Sequence, residues 1–129
     1  MPRFVYLLLP FAAFAFIGCN AKLNEEKSFN LTPSARDKIY LFDAQSSEQT
    51  IKVNVTSSEA VDVFVFLKKD APDPAGLDDA DLKKKALASK LGVVNDTLIV
   101  KVPAKQDYSL VVSLSTKSKK ADGKVKLTN

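Results

Sequence analysis

The feature that most constrains this chain is an alternation of apolar and polar residues with a period of two. In "QTIKVNVT", Ile51, Val53 and Val55 alternate with Lys52, Asn54 and Thr56. In "AVDVFVFLK", Val61, Val63, Val65 and Leu67 alternate with Asp62, Phe64 and Phe66. Successive side chains of a β-strand point to opposite faces, so the first run reads as a half-buried strand. The second run is apolar on both faces towards its end, which demands a central or covered strand. "KIYLFDA" separates Ile39 and Leu41 from Tyr40 and Phe42, and "TLIVKV" follows further on. "YSLVVSLST" sets Tyr108, Leu110, Val112 and Leu114 against Ser109, Val111 and Ser113, and "GKVKLTN" adds Val125 and Leu127. Turn-forming stretches, "AQSSEQ", "SSEA", "VPAKQD" and "KSKKADG", separate these runs. Short strands at this spacing predict an all-β fold, an antiparallel jelly-roll or immunoglobulin-like β-sandwich. A length of 129 residues suffices for one such domain.

One segment departs from the period of two. After "DAPDPAG", the stretch "LDDADLKKKALASKLG" places Leu77, Leu82, Ala86 and Leu91 near helical spacing. Asp78 suits an N-cap, the lysines gather late, and Gly92 offers a stop. The expectation is one inserted helix at about 78–91, bridging two strands and capping an open end of the sandwich.

The chain has no His, no Trp and one Cys, so a Ser–His relay is impossible. It also lacks a Gly-x-Ser-x-Gly turn, a Ser-x-x-Lys run and a phosphate loop. The expectation is therefore a protein that is not an enzyme, with a small hydrolase built on a carboxylate pair as the third-ranked reading. Lys and Arg number 19 against 15 Asp and Glu, a net charge of +4, but Arg occurs only at Arg3 and Arg36. Bidentate contacts to bases and phosphates favour Arg, so no nucleic-acid partner is expected.

The one cofactor candidate is calcium. Asp70, Asp73, Asp78, Asp79 and Asp81 lie on a Pro/Gly-bent loop, and calcium takes six to eight hard oxygen ligands. Turn formers leading into a helix N-terminus account for the same residues without a metal. Two basic clusters, Lys83 to Lys85 and Lys117, Lys119, Lys120, Lys124 and Lys126, can meet anionic phosphates or simply form solvated surface. Tyr40, Phe64, Phe66 and Tyr108 can stack on sugars, although alternating strand positions favour the core.

The N-terminus begins with Met1, Pro2 and Arg3, followed by the 14 uncharged residues Phe4 to Ile17. As a helix that run spans about 21 Å, against a bilayer core of about 30 Å. The order reads as a secretory signal. Phe16-Ile17-Gly18-Cys19 resembles the lipobox of bacterial lipoproteins. The resemblance implies removal of signal peptide 1–18, lipidation of the Cys19 thiol with palmitate-type acyl chains, and a membrane anchor. On that reading residues 19–28 form a polar tether and 29–129 the β-sandwich domain. By the same resemblance, Asn20 in place of Asp implies the outer membrane, facing the periplasm or the surface. Small residues at Ala13 and Ala15 support a competing leader-peptidase site, which would release a soluble, secreted ligand-binding domain, calcium-dependent or not. An uncleaved anchor or a buried helix is the remaining alternative.

Tyr40 with Phe42, the run Val61-Asp62-Val63-Phe64-Val65, and Asp107-Tyr108 resemble recurring motifs of the bacterial pre-peptidase C-terminal domain. The likeness spans about 29–129. It implies a small jelly-roll-like sandwich acting as a non-catalytic accessory module, in some members linked to substrate or surface adhesion and in some to calcium. The resulting expectation is a lipid-anchored protein of the bacterial cell envelope that binds an envelope protein or polysaccharide, or has a structural role.

Overall fold

The computed structural model describes residues 22–71 and 79–129, with side chains of the second segment from 82 onwards. Six strands form: β1 (Asn24–Leu31), β2 (Asp37–Phe42), β3 (Gln49–Leu67), β4 (Ala88–Val102), β5 (Tyr108–Leu114) and β6 (Ala121–Thr128). A short 3-10 turn (Lys68–Asp70) and a helix α1 (Asp79–Lys85) lie between β3 and β4. The chain is an all-β sandwich in which every strand pair is antiparallel.

Strand β3 organises the two layers. Its first half pairs with β6 on one side and β4 on the other, while its second half exchanges β6 for β5. One layer is thus β1-β6-β3-β4 and the other β2-β5-β3-β4. The last pair with β6 is Ser57 opposite Gly123, and the first with β5 is Val61 opposite Leu114. "SSEA" is therefore a bend within one strand of 19 residues and not a turn between two strands. Odd positions point inward on both sides of the bend, Ile51, Val53, Val55 and small Ser57 before it and Val61, Val63 and Val65 after it, while Glu59 within it is only half-buried.

A strand that changes partners orphans backbone groups, which need other partners. Serine hydroxyls supply several of them here. Ser57 Oγ donates to the Glu59 carbonyl at 2.6 Å, and Ser58 Oγ accepts the Asp122 N–H at 3.0 Å. Ser118 Oγ donates to the Ala60 carbonyl at 2.8 Å.

Strand β4 follows the bend by means of Gly92, which adopts φ 67° and donates its N–H to Asp62 Oδ1 at 2.9 Å. The register slips here between Val61–Val93 and Val63–Lys90, the mark of a glycine bulge. This corrects the helix expected at about 78–91. α1 ends at Lys85, Ser89 and Lys90 pair with β3, and Gly92 serves the bulge and not a helix stop. Sheet pairing along β3 overrides the helical propensity of the Lys/Ala/Leu stretch. Nor does α1 cap an open end: Leu82 packs with Phe64, Phe66 and Val111 on the outer face of the β5-β3 layer, with Ala86 beside it. The stretch read as a tether also changes character, since β1 begins at Asn24 and Glu25 to Ser28 pair with β6.

The core lies between the layers and draws on all six strands. On β2, Tyr40 and Phe42 are buried, while Ile39 is 47% and Leu41 72% exposed. The Phe42 and Tyr108 rings stack with centroids 5.1 Å apart. Tyr40 Oη donates to the Ser28 carbonyl at 2.9 Å, tying β2 of one layer to β1 of the other. Tyr40→Phe keeps the ring and loses this tie, so urea unfolding is expected to show a loss of about 1 kcal/mol. An unchanged midpoint would show that the two layers close without it.

Burial pushes the Tyr108 phenol up to about 12, and the negative charge of Glu25 adds to the rise. The unfolded-state value is near 10, so Tyr108 contributes stability that is fully present below pH ~10 and lost as pH climbs towards ~12. Between those limits the wild type is expected to lose stability more steeply than Tyr108→Phe. Unfolding curves at mildly and strongly alkaline pH check this.

Candidate functional site

The outer face of the β1-β6-β3-β4 layer is largely polar, interrupted on β4 by exposed Ile99 opposite Lys52. Register aligns Glu26, Lys126, Asn54 and Thr97 in one cross-strand row, and Ser28, Lys124, Thr56 and Asn95 in the next. Their alternation with Phe29, Val53, Val55, Val125 and Leu127 follows from the strand period, which drives the apolar set inward. Within the first row Thr97 Oγ1 donates to Asn54 Oδ1 at 2.6 Å, and between the rows Lys124 Nζ lies 3.4 Å from Glu26 Oε1. At the β4 edge, Asp96 accepts from Lys90 Nζ at 2.7 Å and from the Thr97 N–H at 2.7 Å. Those two bonds, the Lys90 one foremost, hold the Asp96 carboxyl below its usual range.

This face is concave where β3 leaves β6. A hollow of ≈ 670 Å³ opens there, lined by Asn54, Thr56, Ser57 and Ser58 of β3, Asp122 to Lys124 and Lys126 of β6, and Glu26 of β1. A second hollow of ≈ 680 Å³ shares Asp122, Gly123 and Lys124 with it and continues across Ser28 and Asn30 to Lys38 of β2. Together they form a groove crossing β6 at Gly123.

The groove depends on that glycine. A Cβ at position 123 would stand 2.1 Å from the Thr56 carbonyl oxygen, 2.6 Å from Phe29 Cζ and 2.9 Å from Ser57 Cα. β6 approaches the bend of β3 this closely only because position 123 has no side chain, and the Phe29 ring fills the space beneath it.

The lining offers ammonium groups, two amides, hydroxyls and two carboxylates. Such a set forms directed hydrogen bonds and ion pairs with a hydroxylated or charged ligand. Tyr40, Phe64, Phe66 and Tyr108, the residues considered for sugar stacking, are all buried, and Phe29, the aromatic residue bordering the second hollow, is only 5% exposed.

Other residues singled out from the sequence fall elsewhere. Lys124 and Lys126 line the groove, whereas Lys117, Lys119 and Lys120 sit on the β5–β6 connection, where the Lys119 N–H donates to Glu59 Oε1 at 3.1 Å. Asp70 lies exposed in the 3-10 turn. Asp73 and Asp78, the side chains of Asp79 and Asp81, and Cys19 with the whole leader fall outside the described residues. Among the described residues no three acidic, His or Cys side chains gather as a metal site. Sequence reasoning missed Asn54, Thr56, Asp122 and Gly123. "KADG" has the composition of a turn, yet Ala121 to Gly123 belong to β6. A glycine inside an alternating strand was the available signal.

No family model matches the chain, and no curated protein sequence does. Among solved structures, the fold is similar to the pre-peptidase C-terminal domain of a collagenase from Bacillus anthracis. The TM-score is 0.56 at 15% identity, covering 81% of this chain and 87% of that one. It is also similar to PliG of Aeromonas hydrophila, a periplasmic lysozyme inhibitor of g-type lysozyme. There the TM-score is 0.55 at 15% identity, covering 83% of this chain and 84% of that one. At such identity the likeness is one of fold.

Proposed function

We propose that this protein is a non-catalytic binding module of the bacterial cell envelope, anchored by lipid on Cys19, with the groove over Gly123 as its binding face. The groove carries the reading: a continuous concave strip of hydrogen-bonding and cationic groups on a rigid sheet. Its partner is an envelope polysaccharide or protein, held by hydrogen bonds and ion pairs. The lysozyme-inhibiting role of the Aeromonas structure supports the idea that a sandwich of this shape can present a protein-binding face. The anchor rests on Phe16-Ile17-Gly18-Cys19 and would place the domain on the outer membrane, facing the periplasm or the surface.

Affinity electrophoresis through gels containing purified lipopolysaccharide or cell-wall polysaccharide tests the groove. Wild-type protein is expected to be retarded, and the double variant Asn54→Ala with Lys124→Glu to run freely. Equal mobility of the two in every gel would remove the polysaccharide assignment. For the anchor, intact mass of membrane-extracted protein is expected to equal residues 19–129 plus acyl chains. A Cys19→Ser chain is expected to lose that mass and to leave the membrane fraction, because two or three acyl chains are what make anchoring stable. Unacylated wild-type protein would refute the anchor and leave the groove untouched.

A further inference from the structure

The end of the sandwich opposite the bend gathers lysines that are far apart in sequence. Lys68, Lys69 and Lys105 line one hollow of ≈ 450 Å³ together with Gln106 and Asp107. Lys69, Lys84 and Lys85 line an adjoining hollow of ≈ 580 Å³ together with Asp70 and Ala71. Five ammonium groups thus face two carboxylates. Asp107 is already engaged, with Oδ1 accepting the Ala44 N–H at 2.7 Å and Oδ2 lying 4.0 Å from Lys68 Nζ. The β2–β3 connection adds Asp43 and Glu48 to the same end, so the excess of positive charge is concentrated on the Lys69 side.

Lys105 is held in an unusual way. Its φ is 61°, in the left-handed region that side chains other than Gly, Asn and Asp seldom occupy. The Lys105 N–H donates to the Gln45 carbonyl at 2.7 Å, which fixes the loop in that shape. The fold therefore keeps a strained lysine where glycine or asparagine would sit without strain, a pattern associated with functional positions.

The chain also leaves the domain at this end. The Leu23 N–H donates to Asn129 Oδ1 at 2.8 Å, and Asn129 Nδ2 donates to Gln49 Oε1 at 2.7 Å. Gln49 pairs with Val102, three residues before Lys105. Cys19 precedes Leu23 by four residues, at most about 14 Å of extended chain. A lipid on Cys19 would bring the lysine-bearing end close to the headgroups, where the negative surface potential reaches over a Debye length of about 8–10 Å.

We infer that Lys68, Lys69, Lys84, Lys85 and Lys105 form a docking face for anionic phospholipid headgroups of the membrane that carries the anchor. This rests on the lipid-anchor reading. Docking fixes the orientation of the sandwich on the bilayer and holds the Gly123 groove at a set attitude to it.

The test uses the protein as extracted from membranes, reconstituted into vesicles of phosphatidylcholine alone or of phosphatidylcholine with phosphatidylglycerol. Hydrogen exchange is read by mass spectrometry. Peptides covering 66–71 and 103–108 are expected to exchange several-fold more slowly on the anionic vesicles, with the difference abolished by high salt. Peptides of β6 are expected to be unaffected. In Lys68→Gln/Lys69→Gln/Lys105→Gln the difference should vanish. Lys105→Gly removes one charge and the backbone strain together, so it is expected to raise the unfolding midpoint while reducing the protection. A weaker effect of that variant therefore cannot be ascribed to unfolding. Equal exchange on the two vesicle types overturns the proposal, as does equal protection by soluble polyphosphate without vesicles. Failure of the anchor is read separately, as protein that does not float with neutral vesicles.

Discussion

Gly123→Ala is expected to destabilise the sandwich by about 3 kcal/mol or more, the upper range for forcing an extra methyl group into a packed site. Two of the three nearest obstacles are backbone atoms of β3, at 2.1 Å and 2.9 Å from the new Cβ, and backbone cannot rotate away as a side chain can. The third obstacle is the Phe29 ring tip at 2.6 Å, which can move. Phe29→Leu in the Gly123→Ala background is therefore expected to recover only a minor part of the loss. Gly92→Ala provides the contrast. Gly92 has φ 67° but nothing within 4 Å of an added Cβ, so only backbone strain of about 1–2 kcal/mol is expected. Urea unfolding of the four proteins orders them, and a Gly123→Ala midpoint at or above that of Gly92→Ala would overturn the close-approach account. The same substitution should weaken the groove, because β6 must retreat from β3 to admit the methyl group.

That contrast bears on what the sequence could disclose. The faces of β3 and β5 were readable because Val61, Val63 and Val65, and Leu110, Val112 and Leu114, alternate without interruption. A covered outer face for Phe64 and Phe66 followed from the same run, and Leu82 of α1 covers it. Period alone left β2 undecided, since both of its faces are apolar. The buried pair is Tyr40 and Phe42, where Tyr40 finds a carbonyl across the layers and Phe42 finds the Tyr108 ring. "SSEA" resembles a turn because serines satisfy stray backbone groups, and they do the same service in a bend. The helix is shorter than its composition suggests because a window of Ala, Leu and Lys reports local propensity, whereas residues 88–90 pair with β3. The groove was invisible because its residues come from separate strands, and only register brings Asn54 beside Lys126 and Ser57 beside Gly123.

Phe64→Ala is expected to cost about 3–5 kcal/mol, the usual range for deleting a fully enclosed aromatic ring. Phe64 is 0% exposed and Phe66 1%, with ring centroids 6.1 Å apart, although both point away from the main core. Their cover is α1, only 7 residues long, and a helix so short has little stability of its own. Among the described side chains of α1, Leu82, which is 3% exposed, is the one enclosed against the sheet. Leu82→Ala should release the helix and expose Phe64, Phe66 and Val111, giving increased binding of an apolar dye while the β-sheet circular dichroism persists. Once the cover has gone, truncating Phe64 has less left to lose. The double variant is thus expected to be more stable than the sum of the single losses by about 1 kcal/mol or more, a coupling typical of residues in direct contact. Strict additivity, or loss of the whole sheet signal in Leu82→Ala, would mean that α1 is not a separable cover. In the first case α1 would contribute nothing to the burial of Phe64, and in the second it would be part of the cooperative core.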